Sequence, residues 1–141
     1  MADIFTQEKR SRIMAAVKGK DTQIELQVRK ELHKRGLRYR LHIKELPGKP
    51  DLVFPRYKVA LFVNGCFWHG HANCQKASLP SSNIEFWEKK IRRNRERDIA
   101  SITKLQELGW RCLVLWECQL DRNEIDWDSL TTEILEHSFS S

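Results

Sequence analysis

The sequence predicts a single-domain α/β fold: a mixed sheet flanked by helices, with a structural zinc site pinning one long loop. Three observations predict it. Apolar runs of strand length, Leu37–Ile43, Asp51–Phe54, Lys58–Val63 and Trp110–Trp116, are interspersed with segments of helical periodicity. The chain has 141 residues and no composition shift that would mark a linker, which suits one domain with a substantial core. The stretch Asn64–Cys74 gathers Cys66, His69, His71 and Cys74 around Phe67 and Trp68, a mixture that no hydrophobic core requires.

Each element follows from local pattern. Residues 6–18 carry Ile13, Met14 and Val17 among Arg and Lys, giving a short basic helix that needs a partner to be ordered. Thr22-Gln23-Ile24-Glu25 has the form of a capping box. Ile24, Val28 and Leu32 follow at helical spacing until Gly36 supplies a C-cap, so a helix is expected over 22–35. Leu37–Ile43 alternates as a strand, and Leu46-Pro47-Gly48-Lys49-Pro50 turns the chain. Strands over 51–54 and 58–63 form a hairpin around Pro55-Arg56-Tyr57. The loop from Asn64 to Ser82 is too long to be idle unless it is functional or cross-linked. A helix is expected over 83–108, closing at Gly109. Trp110–Trp116 reads as a central strand buried on both faces, and a short helix over 128–137 ends the pattern.

Hydrophobic residues make up 40% and charged residues 31%, the balance of a soluble globular protein, and even the longer apolar runs fall far short of a membrane span. The N-terminus lacks the basic start and apolar core of a signal peptide, so a cytoplasmic location is expected. In a reducing compartment the four cysteines read as metal ligands or buried thiols rather than as disulfides. The net charge of +6 is concentrated in Lys9–Lys20, Arg29–Arg40 and Lys89–Arg97, so the expected partner is a polyanion such as nucleic acid.

Cys66, His71 and Cys74 are ligands of the kind zinc prefers, in a polar loop where packing does not explain cysteine. Cys118, just past the end of the last strand, is the best fourth ligand, whereas Cys112 lies inside that strand and reads as core. Four protein ligands leave no open position, so such a zinc is structural. Hydrolysis then needs another centre. Adjacent strand ends bring together the Asp51 carboxylate and the Val63 carbonyl, hard oxygen donors suited to Mg²⁺. Glu25, a cap or a catalytic carboxylate or both, lies upstream. His69 is of a type suited to proton transfer at neutral pH, with Asp98 to orient its ring.

These residues resemble the very short patch repair (Vsr) DNA mismatch endonucleases, a branch of the restriction-endonuclease-like superfamily. The resemblance runs from Arg10 to about Leu120. It rests on Asp21-Thr22-x2-Glu25, Leu46-Pro47-Gly48-Lys49-Pro50-Asp51, Phe62-x2-Gly65-Cys66-Phe67-Trp68-His69-x-His71-x2-Cys74, Phe86-Trp87-x2-Lys90-Ile91-x2-Asn94-x2-Arg97-Asp98 and Trp116-Glu117-Cys118. Val63-Asn64 stands where some members have Thr-His, a change that a backbone carbonyl ligand survives.

The resemblance implies a restriction-endonuclease-like fold and a Mg²⁺-dependent enzyme that nicks 5′ of the thymine in T:G mispairs left by 5-methylcytosine deamination. It implies magnesium on Asp51 and the Val63 carbonyl, His69 as general base oriented by Asp98, and Glu25 supporting the attacking water. Cys66, His71, Cys74 and Cys118 would hold zinc. Phe67, Trp68 and Trp87 would wedge into the base stack, and Met14, Lys90 and Asn94 would contact DNA. Residues 1–20 would clasp the duplex and 21–141 would form the endonuclease domain, acting as a monomer, with other mismatch-repair proteins as further partners. Wedging costs least at a poorly paired step, which itself favours a mismatch. Trp110 and Trp116 are the better core candidates. Two other readings fit the same residues: a non-catalytic zinc-stabilised DNA-binding module, and a restriction endonuclease on paired DNA.

Overall fold

A computed structural model describes residues 23–136. Met14 and the expected basic N-terminal helix lie outside them. Helix α1 (Gln23–Lys34) leads into strands β1 (Arg40–Leu41), β2 (Leu52–Phe54) and β3 (Val59–Asn64). Helix α2 (Ile84–Glu107), strand β4 (Arg111–Trp116) and helices α3 (Glu117–Asp121) and α4 (Trp127–Glu136) complete the described chain. The result is a mixed α/β fold with helices flanking a four-stranded sheet of order β1-β2-β3-β4.

The first three strands form an antiparallel meander, with Leu41 opposite Leu52 and Leu52 opposite Leu61. The turn between β2 and β3 is a 3₁₀ turn over Pro55–Tyr57, closed by Lys58 in the left-handed region at φ 57°. β3 then pairs in parallel with β4, Val63 opposite Leu115. A parallel neighbour demands a long crossover, and the loop after β3 together with α2 provides it.

Alternation along the strands divides the interior. Val59, Leu61 and Val63 point to one face with Leu52, Phe54 and Leu115, where Val28 and Leu32 of α1 and Leu130 and Ile134 of α4 cover them. Phe62 points to the other face, where its ring and Ser101 of α2 both border Gly48. Arg111 anchors α4 through its guanidinium, which donates to the carbonyls of Glu133 (2.9 Å) and Ile134 (3.0 Å) at the helix end.

Three expectations are corrected. The strand expected over 37–43 shrinks to two residues because His42 adopts φ 50°, which ends the ladder. The Trp110–Trp116 strand is at the edge of the sheet among the described residues, and most of its side chains are only part-buried; β3 is the buried central strand. Trp110 and Trp116 are likewise only part-buried, while Trp68 and Trp87 are buried. Helix α3, at five residues, is too short to show a period in the sequence.

Candidate active site and metal centre

Asp51 is placed by two ladders. Its backbone N–H donates to the Leu61 carbonyl (3.1 Å), and its own carbonyl accepts from the His42 N–H (3.4 Å). Its carboxylate accepts from the Val63 N–H at 2.7 Å, so the strand end expected to offer a carbonyl also offers a donor. Gly48, at φ 74°, lets the preceding turn press on α2: a Cβ there would lie 2.6 Å from the Ser101 Cβ.

Glu25 reaches the same place from α1. It is 3% exposed, ion-paired with Arg29 one turn on, and 2.9 Å from His42 Nε2. Donor atoms of Glu25, His42 and Asp51 all lie within 4.8 Å of one another, a group able to hold a metal ion. Burial pushes the Asp51 carboxyl up to about 7. The Val63 N–H opposes that shift, the neighbouring Glu25 adds to it, and the nearby His69 again lowers it. Asp51 is thus close enough to feel both carboxylate and imidazole, which gathers the residues singled out in the sequence around one point.

His69 sits on the loop after β3 with Nδ1 at 2.6 Å from Asp98 Oδ2 on α2. That contact leaves Nε2 as the ring atom able to accept a proton, and both side chains remain part-exposed. The loop is bound to α2 at two further points. Asn94 donates to the Trp68 carbonyl at 2.9 Å, and Gly70, at φ 58°, packs so closely that a Cβ would lie 2.6 Å from Ile91 Cγ2.

The other end of the loop closes on α3. Ligand atoms of Cys66, His71, Cys74 and Cys118 lie within 4.8 Å of one another. His71 Nδ1 is 3.6 Å from the Cys66 sulfur and 3.5 Å from the Cys118 sulfur. A tetrahedral zinc with ordinary bond lengths sets sulfur and nitrogen about 3.6 Å apart, so the donor set and its spacing both suit that ion. Burial pushes the Cys66 thiol up to about 12, eased by the Cys118 N–H. Burial acts the same way on Cys74, but the Lys76 and Ala77 N–H groups and the neighbouring thiols outweigh it and lower that thiol. His71 stacks on Trp116, centroids 4.0 Å apart and planes 8° apart, while Glu117 accepts from the Cys66 N–H at 3.2 Å.

With this geometry in view, the comparisons with known proteins are decisive. The family model described as DNA mismatch endonuclease Vsr matches residues 2–76. The chain belongs to the Vsr DNA mismatch endonuclease family. It is 43% identical over 136 residues to the Escherichia coli DNA mismatch endonuclease Vsr, covering 96% of this chain and 86% of that relative. A type II nicking enzyme of Neisseria meningitidis, V.NmeAIP, is 46% identical over 125 residues, 89% of each chain. Another from Xanthomonas oryzae, V.XorIIP, is 47% identical over 120 residues, 85% of this chain and 88% of the relative.

In this Vsr-family chain the aromatic residues singled out in the sequence form one cluster. Phe67, Trp68 and Trp87 meet edge to face at centroid distances of 5.0 to 6.0 Å, and Phe86 joins through Trp87 at 5.1 Å. Trp68 and Trp87 are turned inward and Phe86 is exposed. The Trp87 indole N–H is buried without a hydrogen-bond partner among the described residues. Asn94 also points inward, on the Trp68 carbonyl, and Lys90 is half-buried on the same helix. No helix among the described residues is long and apolar enough to cross a membrane.

Sequence reading missed His42 as part of these sites, and it carried Trp116 and Glu117 only as motif residues before Cys118, with Trp116 taken for core, without their roles beside His71 and Cys66. His42 carried no signal, because its place opposite Asp51 depends on the β1–β2 register.

Proposed function

We propose that the protein is a strand-specific DNA endonuclease that nicks 5′ of the thymine in T:G mispairs arising from 5-methylcytosine deamination. Family membership supports endonuclease action on DNA, and the His69–Asp98 contact beside Asp51 carries the catalytic reading. Asp51 and the Val63 carbonyl would hold Mg²⁺, which when bound supplies positive charge to the phosphate and to the developing negative charge. Cys66, His71, Cys74 and Cys118 would hold a structural zinc.

The residues divide the work. His69 Nε2 takes a proton from the attacking water as its oxygen bonds to phosphorus and the scissile P–O bond breaks. Asp98 holds Nδ1–H, fixing the tautomer and stabilising the charged ring. Glu25 orients the water. Phe67, Trp68 and Trp87 enter the base stack beside the mismatch. Lys90, Asn94, Met14 and residues 1–20 engage the duplex, with 21–141 as a restriction-endonuclease-like nuclease domain. The enzyme acts as a cytoplasmic monomer, in keeping with one nick per mismatch and a reduced thiolate site.

The test is Mg²⁺-dependent nicking of end-labelled duplexes that differ in one T:G, A:T or G:C pair. A nick confined to the thymine strand of the T:G duplex is expected. Cutting of fully paired DNA, or tight binding without any product, overturns the reading.

A further inference from the structure

We propose that His42, together with one oxygen of Glu25, joins Asp51 as a side-chain ligand of the cleavage-centre metal, making that centre a mixed nitrogen–oxygen site that holds first-row transition-metal dications more tightly than oxygen ligands alone would while still accepting Mg²⁺. The inference rests on the proposed reading that Asp51 binds a divalent cation.

The register of the meander puts His42 there. Leu41 pairs with Leu52, so the next residue, His42, comes opposite Asp51, and its N–H donates to the Asp51 carbonyl. The backbone at His42 takes φ 50°, a conformation costly for a residue with a Cβ. Its side chain is largely buried and turned toward Glu25 and Asp51, and its donor atom lies within 4.8 Å of theirs. His42 Nε2 is 2.9 Å from Glu25 Oε2. Neighbouring ligands of an octahedral dication with bonds of 2.0–2.1 Å stand about 3 Å apart, so this pair has the spacing of two adjacent ligands.

Without a metal, Nε2–H donates to Glu25, and the Arg29 nitrogen 3.2 Å from it also donates to Glu25, so a bound dication would take the place of the ring proton. With the ring proton on Nδ1, the Nε2 lone pair faces into the cluster, and that is the form in which imidazole binds metal. Carboxylates alone suit Mg²⁺, and a nitrogen ligand shifts preference toward the transition series.

The experiment uses the full-length, zinc-loaded protein with Mn²⁺ as probe, followed by electron spin echo envelope modulation. A ¹⁴N coupling on bound Mn²⁺ is expected. It should survive His69→Gln and vanish in His42→Gln, with Mn²⁺ affinity falling at least about tenfold and Mg²⁺ affinity changing much less. Absence of ¹⁴N coupling in the wild type, its loss in His69→Gln instead, or equal losses for both ions in His42→Gln overturns the proposal. Zinc content and thermal midpoint report whether each variant folds, and if His42→Gln does not, survival or loss of the coupling in His69→Gln decides between the two imidazoles. Nicking of the T:G duplex separates the two ideas. Nicking without ¹⁴N coupling sinks the His42 assignment alone, and coupling without nicking sinks the endonuclease reading alone.

Discussion

His69 and Asp98 meet at 2.6 Å between Nδ1 and Oδ2, joining the loop after β3 to the middle of α2. Replacing Asp98 with Asn should leave the fold intact but let the ring adopt the wrong tautomer. Single-turnover nicking of a T:G duplex should fall by about 10²–10⁴-fold, with DNA affinity nearly unchanged. An equal loss of affinity would mean that the pair serves binding instead.

Asp51 gives a pH-dependent prediction for stability without added Mg²⁺. Burial raises its folded-state pKa to about 7, above the ordinary carboxylate value of 3.8, so the folded protein holds the proton more tightly than the unfolded chain. The wild type should therefore lose stability as pH rises from about 4 to about 7, and level off above that. The substitution Asp51→Asn puts an uncharged amide in the same place and removes this loss. The variant should be inactive yet more stable at pH 8, on the order of 2–4 kcal/mol, with the two proteins converging near pH 4 in urea titrations.

Removing the metal from the thiol cluster should loosen the loop rather than only slow turnover. In metal-free protein Cys74, with its lowered pKa, should alkylate well before Cys66, which is buried and raised to about 12. Peptide mapping after timed iodoacetamide treatment reads that order. Cys118→Ser should reduce bound zinc from one equivalent to well below it.

Gly70→Ala places a Cβ 2.6 Å from Ile91 and 2.7 Å from Arg95 at a positive φ. The strain and the clash should together destabilise by roughly 2–4 kcal/mol and displace His69, lowering the thermal midpoint and the nicking rate. A variant with wild-type stability would show that the loop is not pressed on α2 in solution.

Trp87→Phe keeps the aromatic packing and removes the indole N–H, which has no hydrogen-bond partner among the described residues. Stability should be maintained within about 1 kcal/mol, because the lost contact area is offset by the removed orphan donor. Preference for T:G over A:T duplexes in competition binding should nevertheless fall, as the smaller ring stacks less well between bases.

Local chemistry made much of this protein legible before any folding was considered. The periodicity of Ile24, Val28 and Leu32 marks α1, the Pro55-Arg56-Tyr57 turn marks the β2–β3 hairpin, and Gly109 marks the end of α2 within a residue or two. The thiol and imidazole ligands were recognisable because three of the four lie within nine residues and cysteine has few reasons to be in a polar loop. What remained hidden depends on pairing across the chain. A one-residue shift between β1 and β2 would take His42 away from Asp51, and no local pattern specifies that register. Whether Trp68 and Trp87 are buried or exposed depends on how the loop lies on α2, through Gly70 and Asn94, so residue type alone pointed the core toward Trp110 and Trp116 instead. The sequence by itself determined the elements and the metal-binding chemistry, because these arise from neighbours in the chain. Only the tertiary structure decided that His42 joins Glu25 and Asp51 in one site, since that proximity is created by packing α1 against a meander whose strands meet edge to edge.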